Sequence, residues 1–579
     1  MLRAREMRHL RTLSAAAFAL VALAPSAASA HDTSESHAHE DPPAPTVPKD
    51  LDRLILDTGR PVVRKAEDDV VRLQAHGEYQ LRYQAMRSLL LTPTTSAINA
   101  KPGLVADSLG QNQFVTHWLR LTPRLQVKES IEVVGQLDVV TGLAMGDTAH
   151  DTGADQTPRD EINGFKNIQP RWLYADFRTP IGLIRVGQQP SHWGLGILAN
   201  DGDHPTLFGD YRYGAINERI LFATKPGGKD SDFTVALAGD LVYRDNTARL
   251  TRGDHAFQGV AALLWEHGPA SVGAYGVYRN QTHDRESGAA YNPYTDKIEV
   301  GVVDLTAKVA TPVFDTGIHA FAAAEAAFIF GSTNVIRTAD LMNAGEKTKV
   351  RSYGGAMQLG AVHTSRASKR LGFSDEGARQ RDMITYGDLV VQLEIGYATG
   401  DADPYDDTQR RFLFDPNHKV GLVLFDEVMR WQTARASTAA TDPLLTNGGR
   451  PTPGADLLPT NGGVSGAQYI NPTAIVRPRP WLDVKGGLLI AQATADVVDP
   501  YLVATSGSYV NSRRGDPKKR DYGVEADLGV EARLPLDYGM VFNVGAQAGV
   551  LFPGAALEDQ TGEALKTPWL AIGRAGLLF

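Results

Sequence analysis

The run Val71-Arg72-Leu73-Gln74-Ala75-His76-Gly77-Glu78-Tyr79-Gln80-Leu81-Arg82-Tyr83-Gln84 alternates, without a break, between an apolar or small residue and a polar one. Successive side chains of an extended chain point to opposite faces. Val71, Leu73, Tyr79, Leu81 and Tyr83 therefore share one face, and Arg72, Gln74, His76, Glu78, Gln80, Arg82 and Gln84 the other. Ordinary strands run about 5–6 residues, whereas a tilted strand that crosses a hydrocarbon layer needs about 9–11. A strand this long, dry on one side and wet on the other, suits a wall between two solvents.

The same texture continues from about residue 69 to the end of the chain. Leu119–Lys128 and Ile131–Val139 alternate on either side of a tight Glu129-Ser130 turn, and Val524–Leu534 is as regular as the opening run. A turn at Pro535–Gly539 leads into Val541–Val550, whose apolar face is Phe542, Val544, Ala546, Ala548 and Val550. Further strands are expected near 169–179, 182–190, 215–225, 232–244, 256–267, 270–281, 297–311, 317–332, 349–364, 384–399, 418–433, 466–477, 480–494 and 569–579. Asp304 and Glu325 interrupt the pattern in two of these, which predicts a bulge there.

Connections differ in length. Short turns at 129–130, 179–182, 226–231, 267–270, 312–316 and 535–539 contrast with long polar or Gly/Pro-rich stretches. The long stretches are 87–112, 143–168, 191–214, 245–254, 282–296, 333–347, 365–383, 400–417, 434–465, 495–519 and 553–566. Short turns on one side and long loops on the other are the pattern of transmembrane barrels. Lipid offers no hydrogen-bond partners, so a sheet survives there only if it closes on itself and leaves no edge. The expectation is an all-β fold: one antiparallel transmembrane barrel over 69–579, of about 18 strands (roughly 16–20), with short periplasmic turns and long extracellular loops.

The ends agree with export. Residues 1–30 carry Arg3, Arg5, Arg8 and Arg11, then an apolar run from Leu13 to Pro25, then Ala28-Ser29-Ala30. This is the order of a cleaved secretory signal. Residues 31–68 begin acidic, His-containing and Pro-rich, a composition expected to form a flexible periplasmic segment. The chain ends on an amphipathic strand whose last residue is Phe579. That terminus resembles the signal by which the barrel-assembly machinery recognises bacterial outer-membrane barrels. The implied setting is the outer membrane of a Gram-negative bacterium, among lipid and lipopolysaccharide.

Composition removes several alternatives. There is no cysteine in 579 residues, hence no disulfide framework, thiol nucleophile or cysteine metal site. The formal charge is −9; the first thirty residues hold four arginines and one glutamate, net +3, which leaves −12 for the remainder. An acidic chain without a basic block argues against nucleic acid as a partner. No sequence feature calls for a cofactor.

On the wet faces, period-two parity points Arg72, His76, Glu78, Arg82, Arg120, Arg124, Lys128, Glu132, Asp138, Arg178, Arg185, Glu525, Asp527, Glu531, Arg533 and Arg574 into the lumen. Charges of both signs fit a hydrated passage for small hydrophilic or anionic solutes. They equally fit cross-strand pairs that stiffen the wall. Tyr79, Tyr83, Trp118, Trp172, Tyr275, Tyr278, Trp431, Trp481 and Trp569 recur near strand ends, as aromatic girdles require, with Trp172 on the inward parity. Asp401, Asp403, Asp406 and Asp407 form an oxygen-rich loop that suggests calcium, without the glycine and closing glutamate of an EF-hand.

Two stretches resemble outer-membrane porins of the alginate-export type. One is Arg185, Gly187 and Gln189 on a strand that runs into a Gly-rich loop, with Gln188 where that family often has a second arginine. The other is Thr399-Gly400-Asp401, Asp403-Pro404 and Phe414-Asp415-Pro416. The resemblance implies a charged lumen that attracts anions. Rival readings are a non-conducting surface or anchor protein, which the large loops allow, and an outer-membrane phospholipase-type hydrolase. The hydrolase needs a Ser-His pair on the outer rim. His117 lies on the outward parity, but no serine accompanies it, and no G-x-S-x-G elbow exists.

Overall fold

The computed structural model describes residues 71–579 apart from portions of the connections, of which 90–112, 147–164, 284–295, 336–346, 364–388 and 434–459 are the longest. The expected signal and acidic segment lie outside the described residues, as does Trp431. Eighteen strands make up the wall. They are β1 Val71–Arg87, β2 Gln113–Val127, β3 Ile131–Gly146, β4 Gln169–Thr179, β5 Gly182–Pro190 and β6 Ile216–Thr224. Then follow β7 Phe233–Arg244, β8 Asp254–His267, β9 Ala270–His283, β10 Asp296–Pro312, β11 Ile318–Thr333 and β12 Thr348–His363. The last six are β13 Leu389–Ala398, β14 Ala467–Arg479, β15 Leu482–Ala493, β16 Asp521–Pro535, β17 Val541–Pro553 and β18 Trp569–Leu578.

Each strand pairs antiparallel with its sequence neighbours, and β1 also pairs with β18, from Glu78 opposite Leu578 to Arg87 opposite Trp569. The sheet is therefore a closed barrel, with every strand's hydrogen-bonding edges taken. The seam is locked by the last residue: Phe579 N–H donates to Gly77 O at 2.9 Å, and Gly77 N–H to Phe579 O at 2.8 Å. The phenyl ring lies over Gly77, where a Cβ would come within 2.2 Å of Cζ. The glycine in the opening run is thus the seat of the C-terminal ring.

The outer face is apolar. Val71, Leu73, Tyr79, Leu81 and Tyr83 are exposed, and so are Leu173, Ile220, Leu237, Phe257, Tyr278, Phe330 and Leu528 on other strands. Phe328, Tyr353 and Tyr397 stack in a row across β11–β13. In lipid such a belt is the favourable surface, and the ladder satisfies the backbone internally.

Four expectations need correction. Residues 418–433 are not a wall strand: β13 pairs directly with β14, and the chain between them folds into the barrel. Asp304 and Glu325 create no bulge. β10 and β11 keep one register throughout, and both carboxylates face inward on the ordinary parity. Trp118 and Tyr275 also face the interior, with the Arg120 guanidinium 4.1 Å above Trp118 and Trp193 stacked on Tyr275 at 5.3 Å. Finally, the connection containing 365–383 belongs with the short turns, because its ends, His363 and Leu389, pair at the same end of the sheet as Ile318.

Candidate functional site: the lumen and its two inward-folded loops

The loop between β5 and β6 crosses the lumen. It leaves β5 at Ser191, whose N–H donates to Ala215 O at 3.0 Å. Trp193 then rests on β9 through Tyr275, and Ile197 N–H points to Glu325 of β11 at 3.4 Å, a carboxylate that also accepts from Leu195 N–H. Asp203 reaches the opposite wall, where it meets Arg120 of β2, Gln136 of β3 and Arg171 of β4. Asp210 bonds Arg82 of β1 at 2.5 Å and Arg574 of β18 at 2.7 Å. Contacts to β9–β11 at one end and to β18–β4 at the other make this segment a bridge across the barrel.

Its anchor is a buried network of two arginines and two aspartates. Arg120 Nε donates to Asp138 Oδ1 at 2.7 Å, and the same guanidinium bonds Asp203. Arg171, 0% exposed, donates to Asp203 at 3.0 Å, to Gln136 Oε1 at 2.5 Å, and to the carbonyls of Asp201 and Tyr213 at 2.6 and 2.7 Å. Arg171 enters the interior because β3 and β4 slip register there, with Gln136 opposite Trp172 but Leu137 opposite Pro170. Strict parity puts Arg171 beside Leu173 on the lipid face, a costly place for a guanidinium. That conflict was the available signal for a bulge, and the parity reading missed it.

The second inward segment belongs to the loop between β13 and β14. Residues 412–430 are almost entirely buried. Phe412, Phe414, Leu422, Leu424, Phe425 and Val428 form an apolar cluster within the lumen and end in a π-helical turn at Leu424–Met429. Polar groups fasten it. Glu525 of β16 accepts from the N–H groups of Leu422, Val423 and Leu424 at 2.5, 2.7 and 2.6 Å, an anion nest built from backbone. Gly421 has φ +70° there, and a Cβ would sit 2.7 Å from Glu525 Oε1. Lys419 and Arg430 both pair with Asp426 at 2.5 Å. Gln84 Nε2 donates to Glu427 at 2.9 Å.

The two segments hold each other. Asp415 N–H donates to Ile197 O at 2.7 Å, Thr206 Oγ1 to Lys419 O at 2.6 Å, and His418 Nδ1 lies 3.0 Å from Leu195 O. Burial opposes a charge on His418. The Glu394 carboxylate, 3.0 Å away, outweighs it and lifts the imidazole to about 9. Burial also pushes the Asp415 carboxyl up to about 7, against hydrogen bonds from Asn417 and Asn246.

Below these loops, at the short-turn end, lies a cavity open to solvent. Its roof is the 205–210 part of the first loop, and its walls come from β1 and β14–β18. Lys485 pairs with Glu531 at 2.8 Å, Arg477 with Asp483 at 2.5 Å, and Arg533 with Asp483. Around this space four cationic side chains (Arg477, Lys485, Arg533 and Arg574) face four carboxylates (Glu78, Asp210, Asp483 and Glu531), and Arg82 reaches the roof through Asp210.

The expected lumen residues do different work, and Lys128 lies outside the wall, in the turn after β2. Glu78, Arg82, Glu531, Arg533 and Arg574 border the cavity or its roof. Arg72 and His76 are half-buried on the inner face of β1. Glu132 lies between Arg124 at 3.6 Å and Arg178 at 3.5 Å, while Lys128 is an exposed turn residue with φ +51°. Arg120 and Asp138 are covered by Asp203, and Glu525 and Asp527 by residues 422–424, so these four are loop anchors and not water-lining charges. Arg185 is held by Asp176 through two bonds of 2.6 and 2.7 Å. The acidic loop does not gather around one point: Asp406 binds Arg410 at 2.6 Å, Asp407 binds Lys349 at 2.7 Å, and Asp401 accepts from the Arg410 and Asp403 N–H groups. Ser191 Oγ accepts from Arg219 at 3.3 Å.

Closed antiparallel sheet, lipid-compatible exterior, polar interior and inward loops together define a transmembrane β-barrel protein. No protein-family model matches the chain, and no curated protein matches it. Among solved structures the chain is similar to OccAB1 of Acinetobacter baumannii, at 8% identity over 88% of this chain and 97% of that one, TM-score 0.44. It is also similar to OpdL of Pseudomonas aeruginosa (9%, 88% and 98%, TM-score 0.42) and to the outer membrane channel DcaP of Acinetobacter baumannii (11%, 88% and 97%, TM-score 0.36).

Proposed function

We propose that this chain is an outer-membrane channel that passes small hydrophilic solutes, anionic ones among them, through a lumen narrowed by two loops. The observation that carries this reading is the open cavity of charged side chains under the 205–210 roof. A barrel that served only as an anchor has no need of such a space. The lining charges of both signs keep the space wet, as passage of hydrophilic solutes needs. In the same reading residues 1–30 are the export signal, 31–68 a periplasmic segment, and Phe579 the handle for barrel assembly in a Gram-negative envelope. Lipid and lipopolysaccharide surround the apolar belt.

The finer alginate-export reading has less support. Arg185 is spent on Asp176, and Phe414-Asp415-Pro416 lies inside the buried loop cluster. A plugged, non-conducting barrel draws support from that cluster, since residues 412–430 fill a section of the lumen with apolar side chains. Planar-bilayer recording under a salt gradient separates the two. The channel reading expects discrete openings, with the reversal potential reporting which ion passes. A barrel that inserts yet stays silent at all salts and voltages overturns it.

A further inference from the structure

The bridging loop carries a constellation that neither the wall nor the cavity uses. His192, Asp201 and His204 each offer one ligand atom, and these atoms lie within 4.8 Å of one another. Asp201 Oδ1 is 2.9 Å from His204 Nδ1 and 3.8 Å from His192 Nδ1, and the two imidazoles face each other at 4.2 Å between ring centres. We propose that these three side chains form a binding site for a divalent transition metal of the Zn²⁺ class.

Chemistry selects the class. Two imidazoles and one carboxylate suit borderline ions such as Zn²⁺ or Co²⁺, with metal–ligand distances of about 2.0–2.2 Å. Donor atoms around one such ion sit roughly 3–3.5 Å apart; the Asp201–His204 separation of 2.9 Å is already near that spacing, and His192, 3.8 Å from Asp201, moves toward both to close the set. Calcium and magnesium, which prefer oxygen cages, are disfavoured by the two nitrogens.

The site is held from behind. The Asp201 carbonyl accepts from Arg171, its Oδ1 accepts from Asp203 N–H at 2.9 Å, and Asp203 itself is gripped by Arg120. On the other side, Trp193 N–H donates to Ala199 O at 3.0 Å while its indole packs on Tyr275, which fixes the backbone beside His192. Gly194, Gly196 and Gly202, at φ +62°, +76° and +75°, give the tight path that returns Asp201 and His204 to His192. Such supporting contacts orient metal ligands before the ion arrives. The side chains of His192 and His204 remain 20% and 45% accessible, so the ion keeps at least one open position toward water. Bound there, it ties the start of the bridge to its middle and stiffens the element that narrows the lumen. The proposal does not depend on whether the barrel conducts.

The test uses the whole chain, refolded in detergent, with His9, His31, His37 and His39 changed to Gln so that the amino-terminal segment contributes no imidazole. Titration with Zn²⁺ against a chromogenic chelator is expected to show one saturable site per chain, and Co²⁺ to give a visible d–d absorption band. His204→Gln and His192→Gln should each weaken Zn²⁺ binding at least tenfold, with unchanged heat-modifiable gel mobility as the check on folding. His204, the more exposed ligand, decides the matter should His192→Gln fail to fold. Zn²⁺ should also slow amide exchange across 191–215 in the parent and not in His204→Gln. No saturable site, or binding within twofold of the parent in His204→Gln, overturns the assignment.

Discussion

Glu525→Ala is the sharpest probe of how the inner loop is held. The carboxylate accepts three backbone N–H groups, from Leu422, Val423 and Leu424, and it is fully buried. Each buried donor left without an acceptor costs about 1–3 kcal/mol, so three cost about 3–9 kcal/mol if the loop stays in place. The loop has an alternative, which is to undock and let water reach those groups, so the low end of the range is the realistic one. About 3 kcal/mol corresponds to roughly a 150-fold rise in the open population. Glu525→Gln keeps one accepting oxygen, which can serve Leu422 and Val423, but turns an NH2 toward Leu424 N–H, so it loses the charge assistance and one of the three hydrogen bonds, about 2 kcal/mol or roughly 30-fold. The wall should not respond, because its ladder from β16 to β17 does not involve this side chain. Amide exchange read by mass spectrometry over 415–430, with β17 as internal reference, is expected to rank the parent slowest, then Gln, then Ala. If Glu525→Ala leaves protection at 422–428 within twofold of the parent while the barrel stays folded, the nest is not what holds the loop.

Other perturbations address the seam, the bridge and the loop contact. Gly77→Ala drives a methyl into the Phe579 ring, which sits at the lipid surface and can swing away, so a cost of about 1 kcal/mol in unfolding free energy is expected. In a double-mutant cycle Phe579→Ala should abolish that cost, and additive effects would mean that the ring does not seat there. Arg171→Met removes a buried cation from Asp203 and from two loop carbonyls, and should weaken docking of 191–215 by about 3–5 kcal/mol. Limited proteolysis within that loop reads the change; a cleavage rate equal to the parent's contradicts it. For pH, Asp415 has a folded value of about 7 against an ordinary 3.8, and His418 about 9 against 6.5. Both are raised on folding, so the contribution of Asp415 is full below 3.8 and lost as pH climbs through 7, and that of His418 is full below 6.5 and lost through 9. Docking of 412–430 should therefore loosen as pH rises, through Asp415 between about 3.8 and 7 and through His418 between about 6.5 and 9, seen as faster tryptic cutting after Lys419 once corrected for protease activity. His418→Gln should flatten the alkaline part, and a flat parent profile would count against the Glu394–His418 bond.

The wall was readable because lipid and water impose a rule at every second residue. β4 and β5 fall within the bounds that alternation predicts, 169–179 and 182–190, and the inward parity of β1 holds from Arg72 to Gln84. Parity says which face a side chain takes and nothing of what covers it. Arg120, Asp138, Glu525 and Asp527 lie buried on the inner face, and their environment is set by residues far away in sequence, such as Asp203 and Leu422–Leu424. Contacts of that kind carry no local period. His192, Asp201 and His204 likewise come together only because three glycines fold the bridge back on itself.

The misread segment 418–433 shows where the period-two rule still had something to say. Val420-Gly421-Leu422-Val423-Leu424-Phe425 is a consecutive apolar run, followed by the adjacent acids Asp426 and Glu427. A barrel strand with that sequence would send Val420, Leu422 and Leu424 to one face and Val423 and Phe425 to the other, and would leave one of two neighbouring carboxylates in lipid. Neither face is acceptable. A run that is apolar on both sides belongs to an element buried on both sides. In a closed barrel the only such place is the lumen itself, with Lys419 and Arg430 supplied from the same segment to answer Asp426. The violation of the wall's own rule is therefore the sequence mark of a loop that turns inward, and it applies with equal force to Arg171, where the wall bends to keep a charge out of lipid.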